Sequence, residues 1–201
     1  MSLENKLNLT DQIELAKAEE KISKQKAKQL FDSGDIHQVE VGKFAGLAFI
    51  HAYLFEDIYD FAGKTRDVNI AKGNFRFAPV MYLEPSLKHI DAMPQSKFDE
   101  IIEKYAEMNV VHPFREGNGC ATRIWLDLML KKETRQVVDW NRVDKEEYLS
   151  AMQRSPVKDL EIKVLLKQAL TDQIDDRALY MKGIDVSYYY EGYSEFKTEE
   201  L

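Results

Sequence analysis

With a single cysteine in 201 residues, this chain cannot form an internal disulfide. That scarcity fits a reducing compartment, and a cytoplasmic protein is the expectation. No apolar run is long enough for a secretory leader or a membrane span, so neither is expected. Basic side chains number 28 against 35 acidic ones, and the net charge of −7 disfavours general binding to nucleic acid or to an anionic membrane surface. A phosphate site must therefore be built locally. Internal repeats, low-complexity tracts and linkers are missing as well. Residues 1–201 read as one domain, with a hydrophobic content of 44% that suffices for a sizeable core.

What is present is mostly helical periodicity, so the fold class is mainly α. A Thr10 or Asp11 cap opens a polar-faced helix that runs through Phe31 and stops near Gly34. A second helix is expected over 44–55. Between Thr65 and Ala78 the pattern changes, and Val68, Ile70, Phe75 and Phe77 around Lys72-Gly73-Asn74 read as a small β-hairpin. Helices resume at 82–92 and from Phe98, where Phe98, Ile101, Ile102, Tyr105 and Met108 form a buried stripe. The next helix, through Ala121, Ile124, Trp125, Leu126 and Met129, is apolar on nearly every side, as suits one crossing a core. Further helices are expected at 145–153, at 157–170 and at about 181–192, followed by an acidic tail at 193–201.

Reactive chemistry concentrates in His112-Pro113-Phe114-Arg115-Glu116-Gly117-Asn118-Gly119-Cys120-Ala121-Thr122-Arg123, at a helix start. Gly117 and Gly119 permit conformations that aim successive N–H groups at one point, and the helix adds its positive end. Glycines before a helix are more often plain loop residues; here the neighbours turn the balance. Arg123 lies one helical turn beyond Gly119 and can face the same anion, while Glu116 offers the hard oxygen that a phosphate-bound Mg²⁺ prefers. His112 adjoins the turn, and its ordinary pKa of about 6.5 suits it to take a proton from a hydroxyl. His37, His51 and His89 read as histidines satisfied by backbone partners, and Phe114 as an apolar peg for the loop. A metal hydrolase is disfavoured, because no second histidine or cysteine stands near His112 and Glu116 to complete a transition-metal site.

The stretch His112 to Arg123 resembles the Fic signature HxFx(D/E)GNGRxxR at every specified position except 120. Tyr53 to Gly63 is similar to that family's upstream helix and turn, and Asn69 to Pro79 to its flap hairpin. The resemblance implies a single-domain helical bundle with a β-hairpin flap, transferring AMP from ATP, with Mg²⁺, to a hydroxyl of a target protein. By the same resemblance His112 deprotonates the hydroxyl and Glu116 holds the metal. Gly117, Asn118 and Gly119 then cradle the transferring phosphoryl group, and Arg123 binds the γ-phosphate. Ile70, Lys72, Gly73, Asn74, Phe75 and Phe77 of the flap would dock the target as an added strand, although an exposed hairpin can also be decoration.

Ser187 and Glu191 lie four apart on one face of the last helix. A carboxylate at a helix C-terminus is disfavoured by roughly 0.3–1 kcal/mol, which suggests a cationic partner; a solvated glutamate is the ordinary alternative. Ser187-Tyr188-Tyr189-Tyr190-Glu191-Gly192 resembles the inhibitory (S/T)xxxE(G/N) helix of one Fic class, which implies that Glu191 pairs with Arg123 and restrains the enzyme. In some relatives that glutamate also serves hydrolytic removal of AMP, and Glu191 carries that expectation here. Tyr188, Tyr189 and Tyr190 suggest self-modification that frees the helix, or plain aromatic packing. Cys120 stands where the family has arginine, and a lost charged hydrogen bond costs roughly 1.5–3 kcal/mol, so weakened activity on an intact fold is expected. A thiol at a helix start can also be acidified and reactive. The alternative function is a catalytically impaired nucleotide-binding regulatory module. The target and any homo-oligomer are left open.

Overall fold

The computed structural model describes residues 2–192 and 194–201. Helix α1 spans Gln12–Asp32, and its Asp11 cap accepts from the backbone N–H groups of Ile13 and Glu14, both at 2.9 Å. Helix α2 spans Phe44–Phe55, as its apolar run predicts. The hairpin is shorter than expected: strand β1 is Ala71–Lys72 and strand β2 is Phe75–Arg76, with Ala71 opposite Arg76 and Lys72 opposite Phe75. Gly73 supplies the positive φ, 58°, that so tight a turn requires. A 3₁₀ turn at Val80–Tyr82 leads into α3, Leu83–Ala92, and then α4 spans Phe98–Val111.

Helix α5, Asn118–Thr134, runs through the centre. Its Ala121, Trp125, Leu126, Met129 and Leu130 are fully buried, as are Leu47, Ile50 and Leu54 of α2 and Ile101 and Ile102 of α4. Removing that apolar surface from water is the main favourable term in the fold. Strand β3, Val137–Val138, then helix α6, Lys145–Arg154, and helix α7, Leu160–Gln168, lead to strand β4, Leu170–Thr171. β3 and β4 pair antiparallel, a contact the sequence pattern does not announce. Helix α7 starts three residues later than expected, because the chain turns at Arg154 and leaves Val157 95% exposed.

The last helix, α8, spans Arg177–Glu191 and begins a turn earlier than expected, since Asp176 accepts from Leu179 N–H at 2.8 Å and so caps it. It packs on α1, α5 and the 3₁₀ turn Trp140–Arg142. The tail is strapped down rather than loose. Fully buried Lys24 of α1 pairs with Glu20 at 2.8 Å and with Asp185 of α8 at 2.9 Å. Glu20 also accepts from Glu195 and Phe196 N–H, and Asp185 from Thr198 N–H. Position 193, where the tail was expected to start, lies outside the described residues. No helix among the described residues is long and apolar enough to cross a membrane.

Candidate active site

The chain leaves α4 at His112, which takes a left-handed conformation (φ 49°, ψ 66°) while its N–H still bonds to Met108 O at 2.9 Å. That conformation costs a branched or bulky residue strain, so the surrounding contacts must hold it. Two side chains do so. Arg66, 4% exposed, donates to the carbonyls of His112 (2.8 Å), Val68 (2.7 Å), Ala78 (2.5 Å) and Val111 (3.1 Å). It thus ties the base to both roots of the flap. His51, fully buried, accepts from Gly63 N–H at Nδ1 (2.9 Å), which leaves Nε2 to donate to Glu116 O (2.8 Å).

Phe114 is fully buried between the rings of His51 (3.8 Å between centroids) and Phe44 (6.0 Å), so it is the peg the sequence suggested. The Asn118 side chain accepts from Phe114 N–H at 2.9 Å and donates to Phe114 O at 2.8 Å. The amide thus closes the loop, which leaves the Asn118 backbone for the anion contact expected of this turn. Gly117 takes φ 73°, and a Cβ there would meet the Phe55 ring at 2.4 Å, so no other residue fits. The first N–H groups of α5, which have no carbonyl one turn before them, lie at the border of a cavity of about 280 Å³.

Phe77 stacks on the His112 ring at 3.7 Å, and Phe75 meets Phe77 edge to face at 5.1 Å. Of the residues expected to dock a target, Phe77 therefore contacts the base itself, Ile70 and Lys72 border the cavity, and Gly73 and Asn74 form an exposed tip. Burial pushes the His112 pKa down to about 4, against a smaller upward pull from the Glu191 carboxylate. The ring is neutral at pH 7, and its buried Nδ1 has no hydrogen-bond partner of ordinary geometry, although the Asn109 backbone exerts a weak upward pull on its pKa. Glu116 sits exposed at the mouth and accepts from Gly117 N–H at 3.1 Å. Crowding by protein and the nearby Glu191 carboxylate raise its pKa, with only Gly117 N–H and Lys72 opposing.

Glu191 does not form the expected ion pair with Arg123. Its partner is Lys72 of the β1–β2 hairpin, with Nζ 2.5 Å from Oε2. Glu191 and Arg123 are nonetheless neighbours: a Cβ on Gly119 would meet Glu191 Oε1 at 2.7 Å and Arg123 Nη1 at 3.1 Å. Burial works to raise the Glu191 pKa, but Lys72 and then Arg123 outweigh it, and the carboxylate stays ionised. Arg123, 5% exposed, is boxed by the rings of Tyr190 (4.9 Å), Tyr148 (5.1 Å) and Trp140 (5.7 Å), which substitute for a carboxylate partner through cation–π attraction. Ser187 donates to Gly183 O at 3.2 Å within its own helix and makes no bond across the cavity.

Three further expectations change. Burial drives the Cys120 thiol up to about 12, so it is not an acidified, reactive cysteine. Tyr188 and Tyr190 are buried, with hydroxyls bonded to Ser23 and to Val143 O, and are closed to modification while α8 is docked. Tyr189 is 57% exposed but lies under Lys145, away from the cavity. Arg66 went unread in the sequence, where nothing in its neighbours marks it; His51 was read as a satisfied histidine, and its partner is the motif itself.

A family model described as Fic/DOC family matches residues 44–130. The probable protein adenylyltransferase y4lH of Sinorhizobium fredii is 30% identical over 170 residues, covering 79% of this chain and 85% of that protein. Protein adenylyltransferase VbhT of Bartonella schoenbuchensis is 37% identical over 115 residues, which are 51% of this chain and 23% of VbhT. Among solved structures, BepC of Bartonella tribocorum with bound AMPPNP aligns with TM-score 0.68 at 19% identity, covering 86% of this chain and 94% of that one. A Fic domain from Bartonella quintana with bound ADP aligns equally well, with TM-score 0.68 at 19% identity over 85% of this chain and 91% of that one.

Proposed function

The chain belongs to the Fic/DOC family, and from that membership we propose that it transfers AMP from ATP to a hydroxyl of a protein target, restrained by its own α8. One observation carries the reading: a neutral imidazole, a carboxylate and the N-terminus of α5 converge on a single cavity. His112 takes the hydroxyl proton, the freed oxygen attacks the α-phosphorus, and pyrophosphate leaves. Its pKa of about 4 makes a weak base, which the charge of the bound phosphate chain raises toward working pH. The N–H groups of Gly119 and Cys120 stabilise charge on the transferring group. Arg123, already fixed by three rings, holds the terminal phosphate once Glu191 withdraws.

Mg²⁺ fits the donors present. Glu116 has a hard carboxylate at the mouth, crowded by the like charge of Glu191, and no group of three or more metal-ligating side chains occurs among the described residues. Glu116 would therefore hold the ion together with phosphate oxygens, and the ion would neutralise charge developing on them.

Restraint comes from the Glu191 carboxylate, which lies over Gly119 where phosphate would enter and draws Lys72 across the cavity. The same ionised carboxylate supports a second use, activating water to remove AMP from a modified target. Cys120 brings no charge to the phosphates and weakens nucleotide binding relative to an arginine. α-Labelled and γ-labelled ATP, supplied with a bacterial lysate, test the proposal. Glu191→Gly should attach the α-label alone to protein, and Glu191→Gly/His112→Ala neither label. Attachment of the γ-label would mean phosphate transfer instead; no label from Glu191→Gly/Cys120→Arg would leave only a nucleotide-binding module.

A further inference from the structure

A second cavity, larger than the first at about 330 Å³, lies farther toward the start of α8, along Leu179, Gly183 and Ile184. Phe31 of α1, Val39, Leu128 of α5 and Leu179 and Ile184 of α8 give it apolar walls. Its charged groups sum to positive in a chain that is negative overall. At the inner end is Arg123, buried, with Nε and Nη1 lacking any hydrogen-bond partner. At the mouth stand Lys131, Lys132 and Arg135 from the end of α5. Lys131 is engaged by Asp175 at 2.5 Å, whereas Lys132 and Arg135 are exposed and carry no ion pair among the described residues. The nearby carboxylates are committed elsewhere. Asp176 caps α8, and Asp127 accepts from Val138 N–H (2.8 Å) and Trp140 Nε1 (2.9 Å), with burial pushing its pKa up to about 7.

We propose that this cavity binds a small amphipathic carboxylate of the medium-chain fatty acid type, free in solution. The chain lies against the apolar walls, and the carboxylate sits at the mouth between Lys132 and Arg135. Cavities of this size, apolar with a few convergent polar groups, are the usual form of a small-ligand site. One wall belongs to α8 and the other to α1 and α5, so a ligand touching both favours the docked helix and deepens its restraint on the neighbouring site. Ser187 borders both cavities, so α8 contributes to each. The regulatory half of the proposal rests on the transfer activity proposed above; the binding half does not.

Calorimetric titration with decanoate, below its micellar concentration, tests the binding, with decylammonium as the opposite-charge control. Decanoate should occupy one saturable site, at least tenfold tighter than decylammonium. Lys132→Glu/Arg135→Glu, on exposed side chains, should weaken it at least fivefold, and Leu128→Trp should abolish it. If Leu128→Trp fails to melt cooperatively, the charge-reversed variant decides alone. No saturable site, equal affinity for the two head groups, or unchanged affinity after charge reversal would overturn the proposal. Pelleting with phosphatidylglycerol vesicles would point to a bilayer source and contradict a free ligand. Saturating decanoate should slow wild-type AMP transfer at least twofold; binding without any slowing removes the regulatory half.

Discussion

In the proposed transfer His112 is the base, yet the side chains that position it lie elsewhere in the chain. Arg66 spends its guanidinium on four carbonyls, a fan that a lysine ammonium cannot reproduce. Arg66→Lys should therefore cost about 2 kcal/mol in a urea titration and lower AMP transfer at least tenfold, whereas an unchanged rate would separate Arg66 from the base. His51 makes a prediction about acid. Its folded pKa of about 4 lies below the ordinary value, so between those pH values the unfolded chain binds the extra proton and stability falls as pH falls. The His51 share of that loss is roughly 3 kcal/mol from pH 7 to pH 4. Asp127, shifted upward, works in the opposite sense over the same window, so the measurement is the difference in slope between wild type and His51→Gln. At Cys120, a thiol at about 12 should resist iodoacetamide at pH 8 in the native protein and react once unfolded, as intact mass would report.

Element by element, what could be read in advance was local. The apolar runs and stripes of α2, α4 and α5 announce those helices, and the motif was legible because its turn, acid and arginine are contiguous. The pairing of β3 with β4 was not, since two residues per strand show no alternation and the partners, Val137 with Thr171 and Val138 with Leu170, are far apart in the chain. The partner of Glu191 was misread on other grounds: the family resemblance implied Arg123, but folding of the hairpin brings Lys72 to Glu191. That pair is half exposed, and such pairs contribute at most about 1 kcal/mol. Lys72→Ala should thus raise transfer less than about fivefold, well short of Glu191→Gly. The stronger hold on α8 is Lys24, fully buried between Glu20 and Asp185. Lys24→Met leaves both carboxylates uncompensated and should cost roughly 3 kcal/mol or more by thermal unfolding, with release of α8.

Across the whole molecule, α8 lines both cavities and is fastened to α1 by a buried ion network and a strapped tail. The proposed base, anion-binding turn and restraint lie on three separate elements, so the proposal makes activity and inhibition separable by mutation. The initial rate of α-labelled AMP incorporation, compared across wild type, Glu191→Gly, Glu191→Gly/Cys120→Arg and Glu191→Gly/His112→Ala, reads that separation directly. The predicted order is a slow wild type, a faster Glu191→Gly, a faster still double variant with Cys120→Arg, and no incorporation without His112. Equal rates for wild type and Glu191→Gly, or incorporation that survives His112→Ala, would contradict a His112-driven transfer held back by α8.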